Sequence, residues 1–308
     1  MPPSDKSIPL SHIGATVTII IWGVTFIASK ILLDTFSTIE ILVLRFTIGV
    51  IVLTIVDAIR TRAEKERKRL SMKDEITFFF AGVSGVALYY MMETVALTKT
   101  SASNVGILVS LAPITTAALA LIWLKEERFY ISYLYGFIIA FIGVYLVITN
   151  GSELEGFSAA GDMIAVLGTF AWASYSLILK RIDTGKYHII TYTKKILMYG
   201  LIVLIPFGYL SGFDITPSDF TLQNIFLLLI FLGIGASALC FMLWNYAVDH
   251  LGVYKASAYI YASPLVTLVT AGVVLHEPIT LHAVIGSVCI IGGLYLSEHR
   301  FSLKRVKA

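Results

Sequence analysis

Apolar residues occur along this chain in ten blocks of about twenty, separated by short polar connections. A helical block of that length spans the hydrocarbon core of a bilayer, because a helix rises about 1.5 Å per residue. The pattern predicts an all-α integral membrane protein with ten transmembrane helices, at residues 13–33, 38–59, 76–97, 102–124, 130–149, 160–180, 189–210, 222–248, 255–275 and 280–297.

The composition supports this interpretation. Of the 308 residues, 57% are hydrophobic and 14% are charged, and the mean hydropathy is +0.84. Soluble domains carry about 25% charged residues, so a soluble enzyme, a secreted disulfide scaffold and a disordered chain are excluded. Cys240 and Cys289 both lie inside predicted helices. We therefore expect no disulfide, no metal site and no cofactor.

The distribution of Lys and Arg predicts the orientation in the membrane. Residues 60–75, between the second and third predicted helices, contain seven Lys or Arg residues. A nucleic-acid patch is one interpretation, but a loop between two spans favours the positive-inside rule. With that loop in the cytoplasm, eighteen Lys and Arg residues fall on the cytoplasmic side and one, Lys99, lies outside. We expect a multi-pass cell-membrane protein with both termini cytoplasmic and a basic tail at 299–308.

The chain contains an internal repeat, with an offset of 150 or 151 residues. It divides the chain into five-helix units at 1–150 and 151–298. Because five is odd, the second unit is inserted upside down, and inverted repeats are typical of secondary transporters that work by alternating access. The matched residues include Trp22 with Trp172, Arg45 with Lys195, Gly82 with Gly233, Pro113 with Pro264, Glu126 with Glu277, Gly136 with Gly286, and Gly143 with Gly293.

Each unit has one helix with a central proline and a glutamate just beyond its end. These segments are Ala112-Pro113-Ile114 with Glu126, and Ser263-Pro264-Leu265 with Glu277. Over residues 11–297 the chain resembles the EamA-type transporters of the drug/metabolite transporter superfamily. The resemblance implies a central cavity between helices 1, 3, 4, 6, 8 and 9, with helices 5 and 10 peripheral. It also implies a bacterial or archaeal protein whose substrate is an amino acid, another metabolite or a drug, often exported.

Two charged residues fall in one layer of the outer half of the membrane. Placing a charged side chain such as Arg45 or Glu93 within the bilayer costs about 2.5–3.5 kcal/mol on insertion scales. We therefore expect each of them to have a structural or functional role. They could pair with each other, or Glu93 could bind a proton or a substrate amine. In the alignment of the two repeats, Trp244 occupies the position equivalent to Glu93, so the fold does not require an acid there in both halves. Tyr89 and Tyr90, one turn earlier, could add hydroxyls and ring surface.

Two lysines fall in the inner half of the seventh helix. Lys194 and Lys195 are adjacent, so their side chains point about 100° apart and cannot both face one small cavity. One or both could snorkel to the headgroups. Alternatively, Lys195, the counterpart of Arg45, could hold a substrate carboxylate or pair across a gate. Asn245 is a polar residue at similar depth and could serve the substrate or an interhelical hydrogen bond.

Several aromatic residues are candidates for the substrate site. Membrane tryptophans usually lie at the interfaces, but Trp22 and Trp172 fall near the middle of their helices at equivalent positions. We expect them to line the substrate site, the alternative being packing against small residues. Tyr175, Tyr259 and Tyr261 are weaker candidates, because most of the sixteen tyrosines serve as anchors or fillers.

Pro113 and Pro264 each remove one backbone hydrogen bond near mid-membrane and kink their helices. The kinks are either static or hinges for gating. Glu126 and Glu277 precede the next helices, where an acid favours the positive end of the helix dipole.

Together these observations predict a secondary transporter for a small polar or amphipathic metabolite, an amino acid or a related compound, that is exported. No nucleotide-binding motif occurs, so an ion gradient or the substrate gradient would supply the energy, with Glu93 as the candidate proton site. The alternatives are an uncoupled uniporter of the same fold and, from another class, a membrane enzyme or lipid-handling protein. The sequence leaves the oligomeric state open.

Overall fold

The computed structural model describes residues 7–64, 71–99, 102–123, 131–149, 158–220, 223–274, 276 and 279–298. Within these ranges the chain is helical, without strands. Two helices of the first repeat are broken into segments by a change in helix type or by a turn. The five helices are α1 (Ser7–Leu32), α2 (Thr38–Glu64), α3 (Met72–Gly82, π-helical Val83–Leu88 and Tyr89–Leu97), α4 (Ala102–Val109 and Ala112–Trp123) and α5 (Ile131–Thr149).

The second repeat has the same order of helices. They are α6 (Ala159–Leu179), α7 (Ile189–Leu210), α8 (Gln223–Ile230, π-helical Phe231–Leu239 and Cys240–Leu251), α9 (Val253–Ala258, 3-10 helical Tyr259–Ala262 and Ser263–Val274) and α10 (Leu281–Glu298). A short 3-10 helix, Pro217–Phe220, lies between α7 and α8. In the described part of the chain, nine helices are long and apolar enough to cross a membrane, and a shorter apolar segment, Leu281–Ser297, lies within α10. The prediction of ten spans is confirmed.

The helices extend further than the hydropathy predicts. The helix α1 begins at Ser7 rather than residue 13, and α2 continues to Glu64 rather than ending at residue 59. The helix α3 begins at Met72 rather than residue 76, because Ser71 caps it: the Asp74 amide donates to Ser71 Oγ over 3.2 Å. Hydropathy marks only the apolar part of a span, whereas polar residues near the surface continue the helix and cap it.

The two repeats pack through helices that the repeat makes equivalent. The helix α3 lies on α7, and its counterpart α8 lies on α2. At the first contact, a Cβ on Gly82 would lie 2.8 Å from the Gly200 amide nitrogen. At the second, a Cβ on Gly233 would lie 2.5 Å from the Ile48 Cβ. Both contacts require glycine, and Gly82 corresponds to Gly233. Each also adjoins or includes a π-helical segment.

The helices α5 and α10 cross at two glycine pairs. Gly136 faces Gly293, and Gly143 faces Gly286; a Cβ on Gly136 would lie 2.6 Å from the Gly293 carbonyl oxygen, and one on Gly143 would lie 2.5 Å from that of Gly286. Gly136 corresponds to Gly286 and Gly143 to Gly293, so the two contacts are equivalent in the repeat. Small residues thus let the two backbones touch, as in other closely packed membrane helices. Beyond each other, α5 and α10 pack mainly on α4 and α9.

Some predicted features lie outside the described residues. They are Glu126, Glu277, the basic residues at 65–70 and the tail at 299–308.

Candidate functional site

Three tryptophans meet in the interior of the protein. Trp22 comes from α1, Trp172 from α6 and Trp244 from α8. Their ring centroids lie 5.5 Å apart for Trp22 and Trp172, 5.4 Å for Trp22 and Trp244, and 5.7 Å for Trp172 and Trp244. We call these rings the tryptophan cluster. It joins both repeats, because Trp22 belongs to the first and the other two belong to the second.

Further rings extend the tryptophan cluster. Phe241 packs against Trp22 and Trp172, with ring centroids 5.9 and 6.4 Å away, and against Tyr175 at 6.0 Å. Tyr175 lies 5.2 Å from Trp172, and Tyr89, on α3, lies 5.1 Å from it on another side. Tyr89 in turn contacts Tyr90 at 4.9 Å. The aromatic surface therefore runs from the centre of the protein to the segment of α3 that carries Glu93.

The indole N–H groups of the tryptophan cluster differ in their partners. Trp22 Nε1 donates to the carbonyl oxygen of Ala236 over 3.0 Å, in the π-helical segment of α8. Trp172 Nε1 and Trp244 Nε1 are buried and have no acceptor in the described part of the protein. Their side chains are 3% and 0% exposed.

Arg45 is a buried cation at the edge of the aromatic surface. Its Nε donates to Ser237 Oγ over 3.0 Å, and Ser237 also belongs to the π-helical segment of α8. The guanidinium carbon lies 5.2 Å from the ring centroid of Phe46 and 5.3 Å from that of Tyr90. Arg45 is 5% exposed, and its Nη2 is buried without an acceptor among the described residues.

Glu93 lies within the electrostatic influence of Arg45. The two side chains do not form an ion pair in the described structure, and Glu93 has no hydrogen-bond partner there. The two charges are close enough to interact but do not form the direct pair that was one of the two alternatives. Each keeps capacity to bind a further group.

A buried hydrogen-bond chain flanks the tryptophan cluster. Tyr175 Oη donates to Asn245 Oδ1 over 2.5 Å, and Asn245 Nδ2 donates to Thr193 Oγ1 over 2.9 Å. The three side chains are at most 1% exposed and come from α6, α8 and α7. The structure therefore places Asn245 in interhelical hydrogen bonds one residue from Trp244. These bonds hold the ring of Tyr175 in place beside Trp172.

Lys194 and Lys195 both have carboxylate partners in the other repeat. Lys194 Nζ lies 2.5 Å from Asp57 Oδ2 of α2, and Lys195 Nζ lies 2.8 Å from Glu75 Oε1 of α3. Asp57 Oδ1 also accepts from Arg60 and Thr191. The tips of α7 and α2 are therefore joined by charge rather than by apolar packing alone.

A third ion pair lies at the same end of the protein. Lys186 Nζ, in the connection between α6 and α7, lies 2.7 Å from Asp74 Oδ2. The Asp74 carboxylate raises the pKa of Lys186 above its usual value, and Tyr187 donates a hydrogen bond to the same carboxylate. In all three pairs the acid belongs to the first repeat and the lysine to the second. We call them the inter-repeat ion pairs; they are Asp57–Lys194, Glu75–Lys195 and Asp74–Lys186.

Two other predicted tyrosines lie apart from the rings of the tryptophan cluster. The hydroxyl of Tyr259 lies 2.6 Å from His12 Nδ1, and Tyr261 packs against Phe137 of α5. Tyr261 and Pro113 both line a cavity of about 20 Å³ between α4, α5, α9 and α10, which is enough for one water molecule.

The two predicted hinge prolines occupy equivalent places. Pro113 follows the turn that separates the two segments of α4, and Pro264 follows the 3-10 helical segment of α9. Each is the second residue of the helical segment that follows the break. A proline is compatible with the first turn of a helix, because the amide that it lacks has no partner there.

The sequence analysis missed several residues of the site. Phe241 lies three residues before Trp244, so helical spacing could have identified it, and Phe46 adjoins Arg45. Ser237 carried no such signal, because a lone serine in an apolar helix is common. The acids Asp57 and Glu75 were also missed as partners of the two lysines.

Comparisons with known proteins agree with this architecture. The chain matches the EamA-like transporter family over residues 10–149 and again over 159–298. It is 30% identical over 284 residues to an uncharacterized transporter of Archaeoglobus fulgidus, covering 91% of this chain and 95% of that protein. It is 24% identical over 297 residues to a probable terminal-alkyne amino-acid exporter of Streptantibioticus cattleyicolor, covering 95% and 94%. A crystal structure at 17% identity superimposes with a TM-score of 0.79 and covers 96% of this chain and 97% of that one.

The fold and these matches define a multi-pass cell-membrane protein of the transporter class. The chain belongs to the EamA-like transporter family, with one copy of the family unit in each half.

Proposed function

We propose that this protein exports a zwitterionic metabolite, an amino acid or a close relative, by alternating access between its two repeats. One observation carries the proposal: the Arg45 guanidinium is buried, has no anionic partner among the described residues, and lies beside a large aromatic surface. A buried cation without a counter-ion is costly, so an anionic ligand group there is strongly favoured.

Arg45 would bind the substrate carboxylate. Its Nε is held by Ser237 and its face by two rings, so the outer edge of the guanidinium remains for a ligand. Guanidinium and carboxylate form charge-assisted hydrogen bonds that are about twice as strong as neutral ones. The aromatic surface from Tyr90 to Trp172 would then accommodate the apolar part of the substrate.

Glu93 would act on the amino group or on a coupling proton. It lies near Arg45 without pairing with it, so it can bind a cation while Arg45 binds an anion. A zwitterion satisfies both charges at once. If Glu93 binds a proton instead, one proton crossing 100 mV supplies about 2.3 kcal/mol, or a roughly fiftyfold concentration ratio.

The inter-repeat ion pairs would form the gate on the predicted cytoplasmic side. Each pair joins one repeat to the other, so opening that end requires all three to separate. The inverted arrangement allows the opposite end to open while this end stays closed. Both termini would then be cytoplasmic, as the distribution of Lys and Arg predicts.

The test is counterflow of radiolabelled L-leucine in proteoliposomes, with three unlabelled competitors. L-leucine has both charged groups, L-leucinamide lacks the carboxylate, and 4-methylpentanoate lacks the amine. We expect leucine alone to compete strongly, and Arg45→Gln to abolish the difference between leucine and leucinamide. If leucinamide competes as well as leucine in the wild type, Arg45 is not a carboxylate site.

The same assay is repeated with a panel of other amino acids, so that the result does not depend on leucine being a substrate. If no amino acid moves with or without an imposed pH gradient, the exporter proposal fails. A uniporter of the same fold remains the second candidate, and it would move substrate without any response to that gradient.

A further inference from the structure

The two unpaired indole N–H groups point to a second feature of the substrate. Burying an N–H group without an acceptor costs about 1–3 kcal/mol, and both Trp172 Nε1 and Trp244 Nε1 are buried in this way in the described structure. Where packing alone is needed, the same cluster uses Phe241, which has no polar atom and is 0% exposed. Phenylalanine at positions 172 and 244 would fill similar space without that cost.

Two other polar side chains close to these indoles, Trp22 and Asn245, already have partners. Trp22 Nε1 donates to Ala236, and the carbonyl oxygen of Asn245 accepts from Tyr175. The Asn245 amide nitrogen donates to Thr193. The unpaired polar atoms of the cluster are therefore donors, and a ligand that satisfies them must bring acceptors.

We infer that Trp172 and Trp244 select substrates whose side chain carries an uncharged hydrogen-bond acceptor on an otherwise apolar frame. This inference rests on the proposed function, in which Arg45 and Glu93 hold the zwitterionic end. The side chain then extends over the tryptophan cluster, where one or both indoles donate to its acceptor oxygen. In this structure the three rings contact one another directly. The side chain would therefore enter when Trp22, in the first repeat, moves away from Trp172 and Trp244 in the second.

A site built from donors rejects an analogue without the acceptor, because the donors then remain buried and unpaired. Loss of one neutral hydrogen bond corresponds to about two- to tenfold in affinity. An acceptor without an attached donor is favoured, because the side-chain oxygen of Asn245 already accepts from Tyr175. A sulfoxide, ketone, ester or ether fits this requirement better than a primary amide.

The experiment uses two matched pairs of substrates in proteoliposomes. L-methionine sulfoxide differs from L-methionine by one acceptor oxygen, and O-methyl-L-serine differs from L-norvaline by an oxygen in place of a methylene. The second pair controls for size. For each protein the quantity measured is the ratio of kcat/KM within a pair, which does not depend on the amount of folded protein.

We expect the wild type to prefer the acceptor-bearing member of each pair by about two- to tenfold. Trp172→Phe and Trp244→Phe keep the aromatic surface and remove the donor, so at least one should bring both ratios towards unity. Trp22→Phe is the matched control. Its N–H already has an acceptor, so the ratios should stay as in the wild type.

The outcomes separate this inference from the proposed function. If amino acids are transported but the ratios are the same in the wild type and both variants, the acceptor subsite is wrong and the exporter proposal stands. A wild-type preference for methionine and norvaline has the same consequence. If no member of either pair, and no other amino acid, is transported, both proposals are wrong.

Discussion

Arg45 and Lys195 occupy equivalent positions in the two repeats, yet in the described structure only Lys195 has a carboxylate partner. Lys195 Nζ lies 2.8 Å from Glu75, whereas Arg45 bonds to the neutral hydroxyl of Ser237. The duplication therefore placed a cation at both positions, and their surroundings diverged. Lys195 now joins the two repeats, whereas Arg45 has no anionic partner among the described residues.

The first prediction follows from this difference. Arg45→Gln should raise the KM for a transported amino acid about ten- to hundredfold, because it removes a charge-assisted bond to the carboxylate worth about 1.5–3 kcal/mol. Lys195→Gln should raise it less, because Lys195 is already neutralised by Glu75. Initial rates in proteoliposomes measure both. A larger effect of Lys195→Gln would show that the substrate carboxylate binds at Lys195, in the second repeat, and not at Arg45.

Glu93→Gln separates coupled from uncoupled transport. If Glu93 carries the proton, the variant should lose the stimulation of transport by an imposed pH gradient while exchange of internal for external substrate continues. The charge-retaining variant Glu93→Asp serves as the control and should keep part of the response. Transport by Glu93→Gln with an unchanged pH dependence would instead support the uniporter.

The ion pair between Asp57 and Lys194 should stabilise the contact between the repeats. Asp57→Asn leaves the Lys194 ammonium without its carboxylate and should destabilise the protein by about 3 kcal/mol, the lower end for breaking a buried pair. The side chains of Asp57 and Lys194 are only 8% and 19% exposed.

A double-mutant cycle isolates this pair. Adding Lys194→Met to Asp57→Asn removes the ammonium group that has lost its carboxylate partner, so part of the lost thermal stability should return. Unfolding midpoints in one detergent provide the measurement. Additive effects of the two substitutions would show that the pair makes no energetic contribution.

The crossing of α5 and α10 gives a prediction in α5 with a control in the partner helix α10. Gly143→Ala would bring a Cβ to 2.5 Å from the Gly286 carbonyl oxygen and 2.7 Å from the Ile290 amide nitrogen. Backbone atoms cannot withdraw cheaply, so we expect a loss of about 1–3 kcal/mol, as in overpacked cores.

Gly292→Ala is the matched substitution. A Cβ at Gly292 would meet no atom within 4 Å, so the higher helix propensity of alanine should leave stability unchanged or raise it by up to about 1 kcal/mol. Thermal unfolding of the two variants gives the comparison. Equal stability of both would show that the crossing tolerates a methyl group.

The sequence was sufficient for the architecture, because the signals that define it are local and periodic. Apolar length predicted the ten spans, and the constant offset predicted the inverted repeats. The same offset placed Trp22 and Trp172 at equivalent mid-helix positions, and the structure brings their rings together. Helix ends were misplaced because polar residues at the membrane surface continue a helix without an apolar signal.

Pairing across the repeats was harder to predict. Lys194 and Lys195 gave no indication of Asp57 and Glu75 as partners, since those acids are over a hundred residues distant in the chain and depend on how α2 and α3 lie on α7. Likewise, which indole N–H groups have acceptors depends on helix rotation. The sequence identified residue types at the site; three-dimensional packing decided which of them remain unpaired.

The π-helical segments Val83–Leu88 and Phe231–Leu239 lie at equivalent positions, just before the parts of α3 and α8 that carry Tyr89 and Glu93 on one side and Phe241 and Trp244 on the other. A π turn holds one residue more than an α turn. If the extra residue of such a segment shifts to a neighbouring turn, the side chains beyond the segment rotate by about 100° around the helix axis. Because the two π-helical segments are equivalent, such a shift in either repeat would turn Tyr89 and Glu93, or Phe241 and Trp244, in the same way.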